Sequence, residues 1–289
     1  MSLAEALKNG KLVVTAEIAP PKGVNVQEML ENAELIKGKV DAANVTDQQS
    51  SVMRLGSLAG CHLLKQKGLE PVFQVTCRDR NRLALQSDLL SAYSLGITNV
   101  LCITGDYVSL GDHPNAKPVF DLDSVSLLQA AKALEQGRDL AGKELKGSPK
   151  FFLGAVVSPG AEPLEPQIIK MEKKVRAGAQ FFQTQGVYEP AKFEKFIRAS
   201  RYLGVPILAG IIPLRSVAMA RFMNRAVAGV HVPEEMIQEL DRATDKPAKS
   251  IEIAARLIRE VRQLCQGVHI MAIGWEKRVP AILEAAGLA

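Results

Sequence analysis

Cysteine is sparse. Cys61, Cys77, Cys102 and Cys265 are the whole complement of a 289-residue chain, and no two of them stand at a spacing that suits a disulfide framework, a metal-ligand pair or an iron–sulfur cluster. Reduced thiols and a cytoplasmic setting are the expectation. The histidines, His62, His113, His231 and His269, are equally few and scattered, so each reads as a surface or core residue, and no metal is expected. No apolar run approaches the roughly 20 residues needed to cross a bilayer, and Met1 to Gly10 is polar and helix-like without an apolar signal region, which points to a soluble protein. Aromatic residues make up only 5% of the chain, and no helical stretch interleaves them with a continuous basic stripe, which argues against nucleic acid as a partner. The charge balance, 36 − 31 = +5, is a mild excess that favours anionic ligands such as phosphates and carboxylates. Neither a Gly-x-Gly-x-x-Gly turn after a strand nor a Gly-x-x-x-x-Gly-Lys-Ser/Thr loop is present, so a nucleotide would have to be held by some other device.

What is abundant is regular alternation. Hydrophobic residues are 47% of the chain, enough for a large core. Strand-like runs fall at Leu12 to Ile18, Ala42 to Thr46, Pro71 to Thr76, Asn99 to Thr104, Phe151 to Val157, Ala179 to Thr184, Pro206 to Ile212 and Val268 to Ile273. Between them apolar residues recur at helical spacing, as in Met29, Ala33, Leu35 and Ile36, in Leu58, Cys61, Leu64 and Leu69, or in Ile168, Met171 and Val175. Gly68, Gly96, Gly178, Gly204 and Gly267 stand where a left-handed helix cap would turn the chain into the next strand. Eight βα units in a chain of this length fit a closed (β/α)8 TIM barrel, whose usual length of about 250 residues leaves room for extra helices. Those extras are expected at Val232 to Ala243 and Asp245 to Leu264, before the eighth strand, within one domain spanning 1–289. Lys143 to Lys150 reads as a solvated basic loop.

Within the first run, Thr15-Ala16-Glu17-Ile18-Ala19-Pro20-Pro21 places a lone carboxylate in an apolar stretch that two prolines stop. Burial disfavours the ionised form of a carboxyl group, which is how a protein obtains a Glu able to deliver a proton near neutral pH. Glu17 is therefore a candidate general acid, the plainer alternative being a strand-end carboxylate turned to solvent or paired with a lysine. Catalytic groups of such barrels come from the carboxyl ends of the strands. Besides Glu17, the ends offer Thr46 and Asp47, then Gln74, Thr76 and Arg78, then Thr104-Gly105-Asp106, then Thr184-Gln185-Gly186. One polar residue at a strand end means little, because loops begin there. Five converging ends mean more.

Val14-Thr15-Ala16-Glu17-Ile18-Ala19-Pro20-Pro21, Val75-Thr76-Cys77, Ile103-Thr104-Gly105-Asp106 and Lys174-Val175-Arg176-Ala177-Gly178-Ala179 leading to Thr184-Gln185 resemble, in order and spacing, the methylenetetrahydrofolate reductases, and among them the short bacterial, flavin-dependent form. The likeness runs from the first strand to Trp275. It implies a flavin-binding barrel that reduces 5,10-methylenetetrahydrofolate to 5-methyltetrahydrofolate. In that chemistry protonation at N10 opens the imidazolidine ring and leaves an iminium at N5 that accepts hydride, so a general acid is required. Glu17 occupies the family's acid position. Asp106 matches an aspartate whose fixed negative charge would stabilise the cationic iminium, although the same residue would serve as a helix cap. Gln185 matches a glutamine on the substrate face whose amide can donate and accept towards the pterin.

The resemblance also assigns cofactor contacts to Thr46, Gln74, Thr104, Gly105, Asp106 and Lys174, with Lys174 meeting a phosphate as a point charge. Many relatives carry histidine where Gln74 stands, arginine where Thr104 stands and aspartate near Gln167; these departures leave the flavin type open, FAD standing slightly ahead of FMN. The electron donor is NADH or a partner subunit; Val187 and Val217 stand where some NADH-using relatives place aromatic side chains. A homo-oligomer is equally compatible. Other readings are a reductase-fold subunit active only with a partner chain, a flavin-independent folate reductase, or a barrel lyase using a lysine Schiff base. Against the last, Lys174 falls on a helical pattern with Lys170 and Lys173.

Overall fold

In the computed structural model, which describes residues 1–288, strand and helix alternate throughout. Helix α1 (Leu3–Lys8) precedes β1 (Val13–Ile18), α2 (Gln27–Ile36), β2 (Ala42–Val45), α3 (Ser57–Gln66), β3 (Pro71–Thr76), α4 (Arg82–Ser94) and β4 (Asn99–Ile103). Then come α5 (Ser124–Glu135), β5 (Phe152–Val157), α6 (Glu165–Arg176), β6 (Phe181–Gly186), α7 (Pro190–Ser200) and β7 (Ile207–Ile211). Three helices, α8 (Val217–Ala226), α9 (Glu234–Arg242) and α10 (Lys246–Val261), precede β8 (Gly267–Ile270), and α11 (Val279–Ala286) follows it. All eight strands are parallel and pair in chain order, and β8 returns to β1 with Thr15 opposite His269, which closes the sheet into a (β/α)8 barrel. The two helices expected before the eighth strand are present, and α8 adds a third.

Strand residues alternate between two surroundings. Val14, Ala16 and Ile18 face the surrounding helices and join the main apolar core, whereas Val13, Thr15 and Glu17 face the barrel interior. The lower interior is apolar: Val13, Ala42, Val72, Leu101, Phe181 and Leu208 meet Leu3, Ala6 and Leu7 of α1, which seals the amino-terminal end of the barrel. A Ser2–Glu5 capping box starts that helix. Burying a leucine such as Leu3 contributes about 1.5–3 kcal/mol, so the seal stabilises the barrel as well as closing it.

Three sequence expectations change. Gly267 is not a left-handed cap but the first residue of β8; a Cβ there would stand 2.4 Å from the carbonyl oxygen of Val13, so glycine is required by the close approach of β8 to β1. Strand β6 starts two residues later than the apolar run, because the Ala179 amide still bonds back to Lys174 of α6 at 2.9 Å. Leu35 faces solvent, while Met29, Ala33 and Ile36 of the same helix are buried.

Candidate functional site

Above the apolar floor the barrel interior turns polar. Asn44 and Gln183 exchange amide hydrogen bonds, Nδ2 to Oε1 at 2.8 Å and Nε2 to Oδ1 at 3.1 Å. In this orientation the Gln183 amide nitrogen lies towards Thr15 Oγ1 and His269 Nδ1, each at 3.3 Å. An amide nitrogen only donates, so His269 Nδ1 accepts, and the Thr15 hydroxyl donates to it at 2.8 Å. With Nδ1 accepting, the protonated ring nitrogen of a neutral imidazole is Nε2, which faces Glu17 Oε1 at 3.6 Å.

Glu17 is 7% exposed and lines the wall of a cleft of about 370 Å³ at the carboxyl-terminal mouth of the barrel, within the range of small-molecule sites. Its two oxygens are held separately: Gln74 Nε2 donates to Oε1 at 3.2 Å and Gln49 Nε2 donates to Oε2 at 3.3 Å. The carboxylate is therefore sheltered, aimed and supplied with donors without a lysine or arginine partner. The lysine-paired alternative for Glu17 does not describe this environment.

The remaining candidates gather around the same cleft, with one exception. Gln74, Thr104, Gly105, Asp106, Lys174 and Gln185 all line it. Thr46 is buried at the end of β2 with a hydroxyl that has no partner among the described residues, and the cleft wall is formed by its neighbours Asp47, Gln48 and Gln49. Asp106 is exposed at the rim, and the N-cap of α5 is Asp123, so Asp106 does not cap that helix. Thr104 Oγ1 accepts from the Ser124 amide at 3.1 Å, tying the start of α5 to the end of β4. Gln185 accepts from the Gly186 amide through Oε1 at 3.1 Å, which leaves its amide N–H groups for the cleft.

Lys174 is a buried cation. Its Nζ donates to the Val156 carbonyl at 2.6 Å, and burial, reinforced by Lys170, lowers its pKa to about 8. Lys170 lines the cleft beside it. An anion bound there would relieve the cost of that charge, so the pair suits a phosphate. Leu101, Ile103, Val156 and Met271 add apolar side chains to the same lining, which suits a planar ring. Apolar side chains and two ammonium groups in one lining are the chemistry a flavin nucleotide needs. Burial raises the neighbouring thiols, Cys77 to about 12, so neither Cys77 nor Cys102 is poised as a nucleophile. Among the described residues no group of three or more His, Cys, Asp and Glu side chains is placed to hold a metal ion, and no helix is long and apolar enough to cross a membrane.

Sequence reasoning missed His269, Thr15, Gln183 and Gln49. The first three were marked by the feature that singles out Glu17, a polar side chain inside an otherwise apolar strand. Gln49 lies in a loop and gave no such signal.

Comparison with known proteins bears on the family of the chain. A family described as methylenetetrahydrofolate reductase matches residues 2–287. A Schizosaccharomyces pombe protein named methylenetetrahydrofolate reductase 2 is 26% identical over 317 residues, covering all of this chain and 47% of its own length. The 5,10-methylenetetrahydrofolate reductase of Pectobacterium carotovorum is 24% identical over 90% of this chain and 83% of its own length. The chain spans about half the length, or less, of the eukaryotic relatives it matches. Among solved structures, a Clostridium thermocellum protein that binds two copies of 5-methyl-5,6,7,8-tetrahydrofolic acid aligns with a TM-score of 0.66 at 18% identity, covering 99% of this chain and 96% of its own. A 2,3-dimethylmalate lyase aligns with a TM-score of 0.55 at 12% identity, covering 99% and 84%. At those identities the two structures share the barrel alone.

Proposed function

The chain belongs to the methylenetetrahydrofolate reductase family, and on that premise we propose that its barrel is a catalytic unit that reduces 5,10-methylenetetrahydrofolate to 5-methyltetrahydrofolate. The observation that carries this reading is Glu17, sheltered on the cleft wall with a hydrogen-bonded His269–Thr15 pair behind it.

Glu17 delivers a proton to N10 of the substrate, opening the five-membered ring and leaving an electrophilic iminium at N5. Asp106 at the rim stabilises the positive charge that then develops, and Gln185 directs its amide donors at the pterin ring. The hydride is the chemistry that a flavin, when bound, would supply. Lys174 and Lys170 would hold its phosphate, Leu101, Ile103, Val156 and Met271 its ring, and Thr104 with Gly105 the polar edge. The lining is compatible with either FAD or FMN, with FAD favoured. Electrons come from NADH or an associated subunit; among relatives the names specify NADPH for the Caenorhabditis elegans protein and NADH for that of maize.

The test is to purify the protein, identify its flavin after denaturation, bleach it anaerobically with NADH or dithionite, and add methylenetetrahydrofolate. Return of the oxidised spectrum with one methyltetrahydrofolate per flavin supports the assignment. A protein that stays colourless with FAD and with FMN, or a reduced flavin that ignores the folate, overturns it.

A further inference from the structure

Gln49 reaches Glu17 from a segment that pays for its shape. Gln48, Ser50 and Ser51 all have left-handed φ, of 48°, 56° and 59°, and none is glycine. Such conformations persist only where surrounding structure over-determines them, and they cluster at functional sites. The fastenings here are specific. Arg78, 1% exposed, donates from NH1 to Ser51 Oγ at 3.1 Å and from NH2 to the Gln48 carbonyl at 3.4 Å. The Ser51 hydroxyl in turn donates to the Tyr107 carbonyl at 2.9 Å, with the Asp106 carbonyl at 3.3 Å. Gly111 presses so closely that a Cβ there would lie 1.8 Å from Ser51 O. Asp47, just before the segment, accepts from the amide and hydroxyl of Thr76 and pairs with Arg80. The turn is thus bolted on both sides of Gln49, and the side chain it presents is the one that donates to Glu17 Oε2.

Residue type matters at that position. A carboxyl group that gains and loses a proton alternates between acceptor and donor at one oxygen. Lysine or arginine can only donate, and an ionised carboxylate can only accept, whereas a glutamine amide does either after a half-turn of its terminal torsion with little change of shape. We infer that Gln49 is a positioning residue, held by the strained turn so that its amide donates to ionised Glu17 and, turned over, accepts from protonated Glu17, keeping the carboxyl aimed into the cleft through the proton transfer. Gln74, on the rigid strand β3, holds the other oxygen. The inference rests on Glu17 acting as the acid.

The experiment compares holoenzyme with Gln49→Met, which keeps the length and removes the hydrogen bond, and Gln49→Glu, which restores a donor only when it is itself protonated. Two readouts are used. In stopped flow, Gln49→Met should lose about 10- to 100-fold in folate-dependent reoxidation of prereduced flavin, with unchanged flavin content and unchanged reoxidation by ferricyanide, which needs no proton from Glu17. Gln49→Glu should recover rate as pH is lowered. In pH-difference infrared spectra recorded without folate, the carboxyl bands assigned to Glu17 by their loss in Glu17→Gln should shift and broaden in Gln49→Met. Unchanged rate and unchanged bands overturn the inference. If wild type itself fails to reduce folate, the proposed reaction falls, while the infrared bands still decide whether Gln49 orients Glu17. Should Gln49→Met not fold, Gln49→Glu is read by the same two measurements.

Discussion

His269 turns Nε2 towards Glu17, 3.6 Å from Oε1, while its Nδ1 is held by the Thr15 hydroxyl at 2.8 Å. Strand pairing makes this arrangement inevitable: β1 and β8 are neighbours, and the register that sets Thr15 opposite His269 leaves Glu17 one inward step higher. Glu17 and the imidazole behind it are therefore placed by the closure of the barrel and not by a mobile loop, which makes the site stiff at its base.

Glu17→Gln keeps the shape and the neighbouring amides but has no proton to give. We expect flavin content and folate binding to be retained, and folate-dependent reoxidation of reduced flavin to fall by about 10²–10⁴-fold. Stopped-flow absorbance measures it, and a rate within a few-fold of wild type removes Glu17 from the acid role.

Asp106→Asn should leave the fold unaltered, because the exposed Asp106 side chain caps no helix. A single charge near a developing cation at the surface contributes about 1–4 kcal/mol, so the folate half-reaction should slow by about fivefold or more. Thermal unfolding and the reoxidation rate, measured together, separate the two effects.

Lys174 gives a pH signature in the ligand-free protein. The folded state releases this proton near pH 8, whereas an unfolded lysine holds it to its ordinary 10.5, so between these values the unfolded chain binds more protons. Stability should therefore rise with pH across that window, by at most about 1.4 kcal/mol per unit. Urea unfolding at several pH values should show the slope in wild type and its loss in Lys174→Met. Affinity for a phosphate-bearing cofactor should move the other way, weakening as pH passes 8.

Leu3→Ala tests the seal at the opposite end. Leu3 is fully buried against the barrel floor, and its truncation should cost about 2–5 kcal/mol of stability. Activity per folded molecule should be unchanged, as judged by chemical unfolding alongside steady-state rate.

Much of the barrel was legible in the sequence because each strand is buried on both faces and so reads as an apolar run bounded by glycine. Glu17 was legible for the complementary reason, as a charge where apolar side chains are the rule. The edges of elements were less so: Gly267 looks in sequence like a helix cap, and only the 2.4 Å approach to Val13 O reveals why glycine stands there. Gln49 was invisible because its contact with Glu17 depends on three left-handed residues and a buried arginine from another loop, a relationship no local pattern encodes.

The plug formed by α1 has a kinetic consequence. A well with a stopped bottom has one doorway, and a cleft of about 370 Å³ beneath it offers little standing room. In the proposed reaction, a small electron donor that enters this cleft would share its entrance with folate, so an excess of either would obstruct the other.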